Sequence, residues 1–454
     1  MAVAAAVLAM LSGCATNPGR VSISHHEGCV SAPDSAVADE SAAGSSIATA
    51  SGAFAKMIRD LAGGAPSVNA ALTRWQVDEQ KIEVARAALR PGAEVFGEGG
   101  IRGTYGVSAS KTNPYSYGIR VSVPVFDGSR GLNTANSQAM VSIAAKQAAV
   151  DELASTILDL VGASASIAHA NAVIGIRDDQ TGSVRALLDA VKSDQTSGTA
   201  SKVDVAQVEG QLSGLDIERR QAEADRAQAV QSFAGIAGSA PGAIAPIGSI
   251  AKSLPQNTVE AEALASSDNP RIARILALQS AAGLQKQVAD AGYMPNVSLD
   301  FEVSRNGDFV LPGAEETDFS ALIRFALPLP VGGSIEAQQR QKALELRAAN
   351  LEVDATRKGV FAGVDAAVSR LGLARQGLKL ARTGVAQAKA ALEGIRAERE
   401  LGERSVFDEL SALNAYAEAR IKAADMDYEV IVTEHLLAAQ TGRIDDIYGI
   451  DLRN

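Results

Sequence analysis

Aromatic residues are scarce in this chain: they form 4% of 454 residues, and Trp75 is the sole tryptophan. Hydrophobic content is still 46%, so alanine carries much of it. Alanine is the best helix former, and the composition suggests extended helix-on-helix packing rather than a thick globular core. Positive charge is short as well. The net charge is −11, which leaves no basic patch to neutralise phosphates and argues against nucleic acid as a partner. Cysteine occurs only at Cys14 and Cys29. With none in the body of the chain, neither a disulfide framework nor a cysteine metal site is expected, and Cys29 has no assigned role. The four histidines are His25, His26, His169 and His435. None are paired at the i, i+4 spacing of a helical zinc site. There is no nucleophile–base constellation and no phosphate loop, so no enzyme activity, no metal and no cofactor are expected.

Long apolar runs are also missing. Residues 1–13 are apolar but too short to span a bilayer, and no later apolar stretch is long enough for a transmembrane helix. Any spanning structure must then be built from strands. The opening run resembles a secretory signal peptide. Leu11-Ser12-Gly13-Cys14 resembles a bacterial lipobox, which implies cleavage before Cys14 and its acylation as a lipid anchor. Ala15 in the next position implies transport to the outer membrane. No Lys or Arg precedes the apolar run, which leaves the true start codon open. The alternative is an ordinary signal peptide followed by a chance cysteine. Residues 14–57, rich in Ser, Ala, Gly and Asp, read as a flexible tether.

What is present is a duplication. At an offset of 204 positions Pro66 matches Pro270, Pro91 matches Pro295 and Pro124 matches Pro328. Arg120 matches Arg324, Gly198 matches Gly402, Ser201 matches Ser405, Asp204 matches Asp408 and Gly238 matches Gly442. With 14 prolines in the chain, chance aligns fewer than one pair at a given offset. The expected repeats are 58–240 and 262–444, joined by a linker at 241–261 and followed by a tail at 445–454. Repeats set architecture before any local reading does.

Each half carries the same order of elements. A helix is expected at about 66–90 and 270–293, with proline in its first turn. A strand pair follows. Val297 to Ser304 alternates apolar and polar; Phe319, Ile323, Phe325 and Leu327 share one face, with Arg324 opposite. In the first half Ile119, Val121 and Val123 oppose Arg120 and Ser122, while the outer strand near 95–110 is glycine-rich and less clear. A period of two gives one greasy and one wet face. Segments of this length fit transmembrane barrel strands, and equally a small soluble sheet packed on one side. About 65 helical residues then run to Gly198 and Gly402 without a proline, a rod of about 100 Å. The glycines suit left-handed helix stops. Ser201 and Ser405 suit N-caps, with Asp204 and Asp408 three residues on in a variant capping box. Return helices run to about 238 and 442. The fold class is therefore mainly α with a small β part, built from duplicated long helical hairpins.

The run Gly402-Glu403-Arg404-Ser405-Val406-Phe407-Asp408-Glu409-Leu410, and Leu436 to Arg443 further on, resemble the second tip and final helix of the TolC-like outer-membrane efflux and export proteins. Val121 to Gly128 resembles that family's strand-to-helix junction, and Asn269-Pro270-Arg271-Ile272 its second-half opening. The resemblance covers about 58–444. It implies a homotrimer, with four strands per chain forming a 12-stranded outer-membrane β-barrel and the hairpins forming a periplasmic α-barrel. It implies a passive exit duct served by a periplasmic adaptor protein and an inner-membrane ABC or RND transporter. The adaptor would meet the tips at Gly198, Thr199, Gly402 and Glu403. Asp408 would line the periplasmic gate with Glu409 nearby, and Arg404 would bridge to Asp204. Ser411 stands where some members carry a second aspartate. Arg120 and Arg324 fit the barrel lumen or a plain surface position. Both aspartates fit capping alone, and Arg404 fits a solvated surface charge. The lipobox favours drug or metal efflux, whereas the second tip favours type I protein secretion. A non-channel coiled-coil scaffold of the periplasm is the competing class.

Overall fold

The computed structural model describes residues 52–104, 110–242, 244–309, 313, 315–450 and 452. The expected signal peptide, Cys14, Cys29 and most of the tether lie outside the described residues.

The first half opens with α1 (Ala53–Gly64) and α2 (Pro66–Ala87). The end of the expected tether is therefore helical. Strands β1 (Gly92–Gly99), β2 (Arg102–Thr104), β3 (Ser110–Thr112) and β4 (Pro114–Phe126) follow, then the long helix α3 (Arg130–Ser197) and its return α4 (Lys202–Ala237). The second half repeats the plan: α5 (Thr258–Asp268), α6 (Pro270–Asp290), β5 (Asn296–Asp308), β6 (Glu316–Ala326), α7 (Ser334–Glu400) and α8 (Val406–Gln440). A short α9 (Ile444–Tyr448) is the last described element. The two rods hold 68 and 67 residues and the return helices 36 and 35. Helices α1 and α5 also sit one offset apart, a match that extends the duplication upstream of the two prolines.

Prolines open α2 and α6 at the first helical position, where the missing N–H costs no hydrogen bond. The rods stop where glycine turns left-handed, with Gly198 at φ 87° and Gly402 at φ 81°. Only a residue without Cβ takes that conformation cheaply.

The main core sits midway along the rods. Ile58, Leu153, Ile157, Leu160, Ile272, Val364, Leu437, Ile444 and Tyr448 are buried there together. It gathers α1, α9 and the segment around Ile250 and Leu254 onto the middle of the rods. A second apolar cluster lies nearer the hairpin ends, with Val184, Val191, Val208, Leu392, Leu410 and Leu413.

One expectation is corrected here. Helix α3 contains a stretch long and apolar enough, by length and composition, to cross a membrane. The cause is enclosure by protein. Helix α3 packs against α2, α4, α6 and α8, so Leu153, Ile157, Leu160 and Val161 are all fully buried. A helix covered on several sides is apolar around most of its circumference.

Candidate functional site: an amphipathic sheet and two hairpin tips

Four strands form one antiparallel sheet in the order β1-β4-β5-β6. The central ladder β4–β5 joins the two halves, so the sheet is a product of both repeats. Residues directly opposite across a ladder share a face. One face collects Val95, Ile119, Val303 and Phe319 in one row, then Val121, Phe301 and Ala321, then Val123, Leu299 and Ile323. Most of this face is uncovered: Val95 is 82% exposed, Ile323 77% and Phe319 68%. The chain by itself thus presents a broad apolar surface of the kind that marks an interaction site.

The opposite face is charged and internally paired. Arg120 lies in register with Glu94 on one side and Glu302 on the other. Its guanidinium donates to both, at 2.8 Å and 2.9 Å, and lies 4.8 Å from the centre of the Phe96 ring. Asp300 accepts from Ser122 at 2.6 Å and from Arg324 at 2.9 Å. Both expected arginines therefore stand on the wet face. Their acidic partners, Glu94, Asp300 and Glu302, were not anticipated. Register would have found them, since Glu302 and Asp300 alternate with Phe301 and Val303. At the loop end of the sheet Tyr115 packs against Tyr117 and Phe309, with ring centres 6.4 Å and 4.5 Å apart. Aromatic girdles of this sort flank the apolar band of membrane barrels.

The tips lie at the other end of the rods. In each, backbone groups close the turn: Thr199 N–H donates to Asp194 O at 2.8 Å, and Glu403 N–H to Glu398 O at 2.9 Å. Both capping boxes form. Ser201 N–H donates to Asp204 at 2.8 Å and Asp204 N–H returns to the Ser201 hydroxyl at 3.2 Å. Ser405 and Asp408 repeat this at 3.0 Å and 3.2 Å. The serine N–H and hydroxyl donors hold both carboxyls below the usual aspartate range.

Two gate expectations change. The Arg404–Asp204 bridge is not formed within the chain: Arg404 pairs with Glu398 of its own hairpin at 2.7 Å, while Asp204 is engaged by Ser201. Glu409 does not stand beside Asp408 as a second exposed acid. It is 4% exposed, held by Arg396 at 3.0 Å and by Arg399. Adjacent residues of a helix point about 100° apart, which turns Glu409 inward when Asp408 faces its cap. Gly198, Thr199, Gly402 and Glu403 remain exposed at the turns.

The chain thus joins an uncovered apolar sheet to duplicated helical rods. The family model for outer membrane efflux proteins matches residues 57–239 and 262–443, and the chain belongs to that family. It is an outer-membrane exit duct that extends into the periplasm. It is 25% identical over 403 residues to the outer membrane efflux protein BepC of Brucella suis, covering 87% of this chain and 86% of BepC. Its fold matches the CusC structure with a TM-score of 0.77 at 17% identity, over 86% of this chain and 92% of CusC. It matches the CmeC outer membrane channel of Campylobacter jejuni with a TM-score of 0.76 at 14% identity, over 86% of each.

Proposed function

We propose that three copies of this chain close their sheets edge to edge into one twelve-stranded barrel, continued by a tube of hairpins across the periplasm. The observation that carries this reading is the four-stranded sheet with a bare apolar face. Among the described residues, β1 and β6 each pair on one side only, and an exposed edge invites a further strand. Four strands cannot close a barrel, because the smallest known have eight. Three copies rather than two follow from the resemblance to the TolC-like proteins. The repeats 58–240 and 262–444 are the two units of each subunit.

In this reading the apolar face meets lipid. The wet face, with Arg120 and Arg324 and their paired acids, lines the lumen. An inner-membrane transporter of ABC or RND type supplies the energy, and a periplasmic adaptor grips the tips at Gly198, Thr199, Gly402 and Glu403. Asp408 lines the entrance, where three copies concentrate negative potential and favour cations. Asp204 and Arg404 stand at the rim of the same entrance. Cys14 carries the lipid anchor. The duct itself is passive, and its cargo is set by the transporter behind it.

The test is conductance in a planar bilayer with the purified mature protein. Discrete channels with cation preference are expected, and the preference should fall in Asp408→Asn. A protein that stays soluble without detergent and never conducts would remove the duct and leave the scaffold reading.

A further inference from the structure

The two halves repeat their strand pairing as well as their elements. In the first hairpin Gly92 faces Ser122, and in the second Asn296 faces Ala326; both partners have moved by the same 204 positions. The ladder β4–β5 is the junction between halves, and there Arg120 faces Glu302. In a ring of copies, the second half of one chain must meet the first half of the next through β6 and β1, the edges left free. A head-to-tail contact closes a ring only when its rotation fits. Repeating the junction already built between the halves gives one rotation throughout.

Carrying the β4–β5 register to that seam moves each β4 residue forward 204 positions into β6 and each β5 residue back 204 into β1. Arg120 becomes Arg324, and Glu302 becomes Glu98. The side chains left open in the subunit fit this exchange. Arg120 is held between Glu94 and Glu302, at 2.8 Å and 2.9 Å, and is 41% exposed. Arg324 has one acid, Asp300, and is 70% exposed. Glu98 is exposed and has no partner among the described residues. On the apolar face the same shift sets Ile323 opposite Gly99, Phe325 opposite Gly97 and Leu327 opposite Val95. Large side chains then cover strand positions that carry none, the fit by which a bulky residue shields a glycine across a ladder.

The helices give the same answer independently. Within the subunit α3 meets α6, where the Ser137 hydroxyl donates to the Ala281 carbonyl at 3.1 Å. The shift brings Gln341 of α7 to Val77 of α2 in the next copy. Val77, and Leu344 one turn along from Gln341, are both exposed in the subunit.

We propose that neighbouring copies meet in this one register, with Arg324 of one copy paired to Glu98 of the next, so that the seam between chains repeats the junction inside each. The proposal rests on the reading that copies close their sheets edge to edge. A single exposed ion pair is weak, so its part is to select register. A slip of two residues would leave Arg324 against Phe96 or Gly100 and forfeit the pair.

Cysteine pairs in the full mature protein read the register. Glu98→Cys with Arg324→Cys should give disulfide-linked dimers and trimers on oxidation. Their yield should be about threefold or more above that of Glu98→Cys with Leu322→Cys or with Ala326→Cys, each two residues out of step on the same face. The single variants give the background from Cys14 and Cys29. Linking within one chain is ruled out by distance, since β1 and β6 lie three strand spacings apart, about 14 Å, against about 7 Å for the widest disulfide. Val95→Cys with Leu327→Cys is a second in-register pair that leaves every charge in place. Equal or stronger linking by a shifted pair, or none from both in-register pairs, overturns the register. If the particle still holds three copies, the edge-to-edge ring survives that result; a monomer that links no pair removes the ring as well.

Discussion

Single side chains decide how each tip behaves. Asp204 and Asp408 do two jobs with one carboxylate, accepting from the serine N–H while carrying charge at the end of the rod. Their lowered pKa means that this stabilisation is complete above the ordinary aspartate value of 3.8 and is lost as pH falls through the lower folded value. Both tips therefore remain charged and capped at any mildly acidic pH. Removing the hydroxyl partner with Ser405→Ala should cost about 1 kcal/mol of helix stability, read as a lower thermal midpoint by circular dichroism, with no change in charge at the tip. His435 titrates in the opposite sense. Its Nδ1 faces the Ile431 carbonyl at 2.7 Å and must donate, so Nε2 accepts from the Tyr448 hydroxyl at 2.8 Å. Burial pushes the imidazole below its ordinary value of 6.5 and the Tyr448 hydroxyl up. A neutral buried histidine contributes fully above about pH 6.5, and that contribution is lost as pH falls from there toward the lower folded value. The melting temperature should drop between pH 7.5 and 5.5, and the drop should shrink in His435→Gln. Equal slopes in the two proteins would show that this histidine is not the group responsible.

Elements were legible in the sequence where one physical rule acts alone. Strict alternation exposed β5 and β6, and an absence of proline exposed the rods. The paired Gly-x-x-Ser-x-x-Asp turns, Gly198 to Asp204 and Gly402 to Asp408, placed the tips. The first strand was blurred because Gly92, Gly97 and Gly99 carry no side chain to alternate. Helix α1 was hidden because its small residues, Ala55 and Ala62 among them, resemble tether composition and gain their burial only from the rods. The apolar window of α3 was overlooked because much of that helix's hydropathy comes from small alanines rather than from an unbroken run of large apolar residues. Glu409 was misplaced because its neighbour in sequence is not its neighbour on the helix surface. The lipid-facing assignment of the sheet has its own test. Ile323→Lys places a charge on the bare face and should cost roughly 2–4 kcal/mol if the position is near the bilayer midplane. The yield of membrane-assembled protein should fall, whereas Ser320→Lys on the wet face should assemble normally. Equal yields from both variants would remove the lipid from that face.

Across the whole molecule the duplication makes the subunit incomplete by design. Each half supplies two strands of the four-stranded sheet and one rod-like hairpin, and the two halves share the main core around Leu160, Val364 and Leu437. The subunit is thus internally cohesive in its helical middle, yet among the described residues it leaves an uncovered apolar face and two unpaired strand edges, β1 and β6. The halves diverge in charge on equal backbones: the second tip carries Arg396, Arg399 and Arg404 where the first has Lys192, Gln195 and Ala200. The most direct test is the number of chains in the assembled particle. Native mass spectrometry of the mature protein released from its detergent micelle should report three copies of the chain. A monomer, or a dimer whose eight strands would close a smaller barrel, would contradict the account.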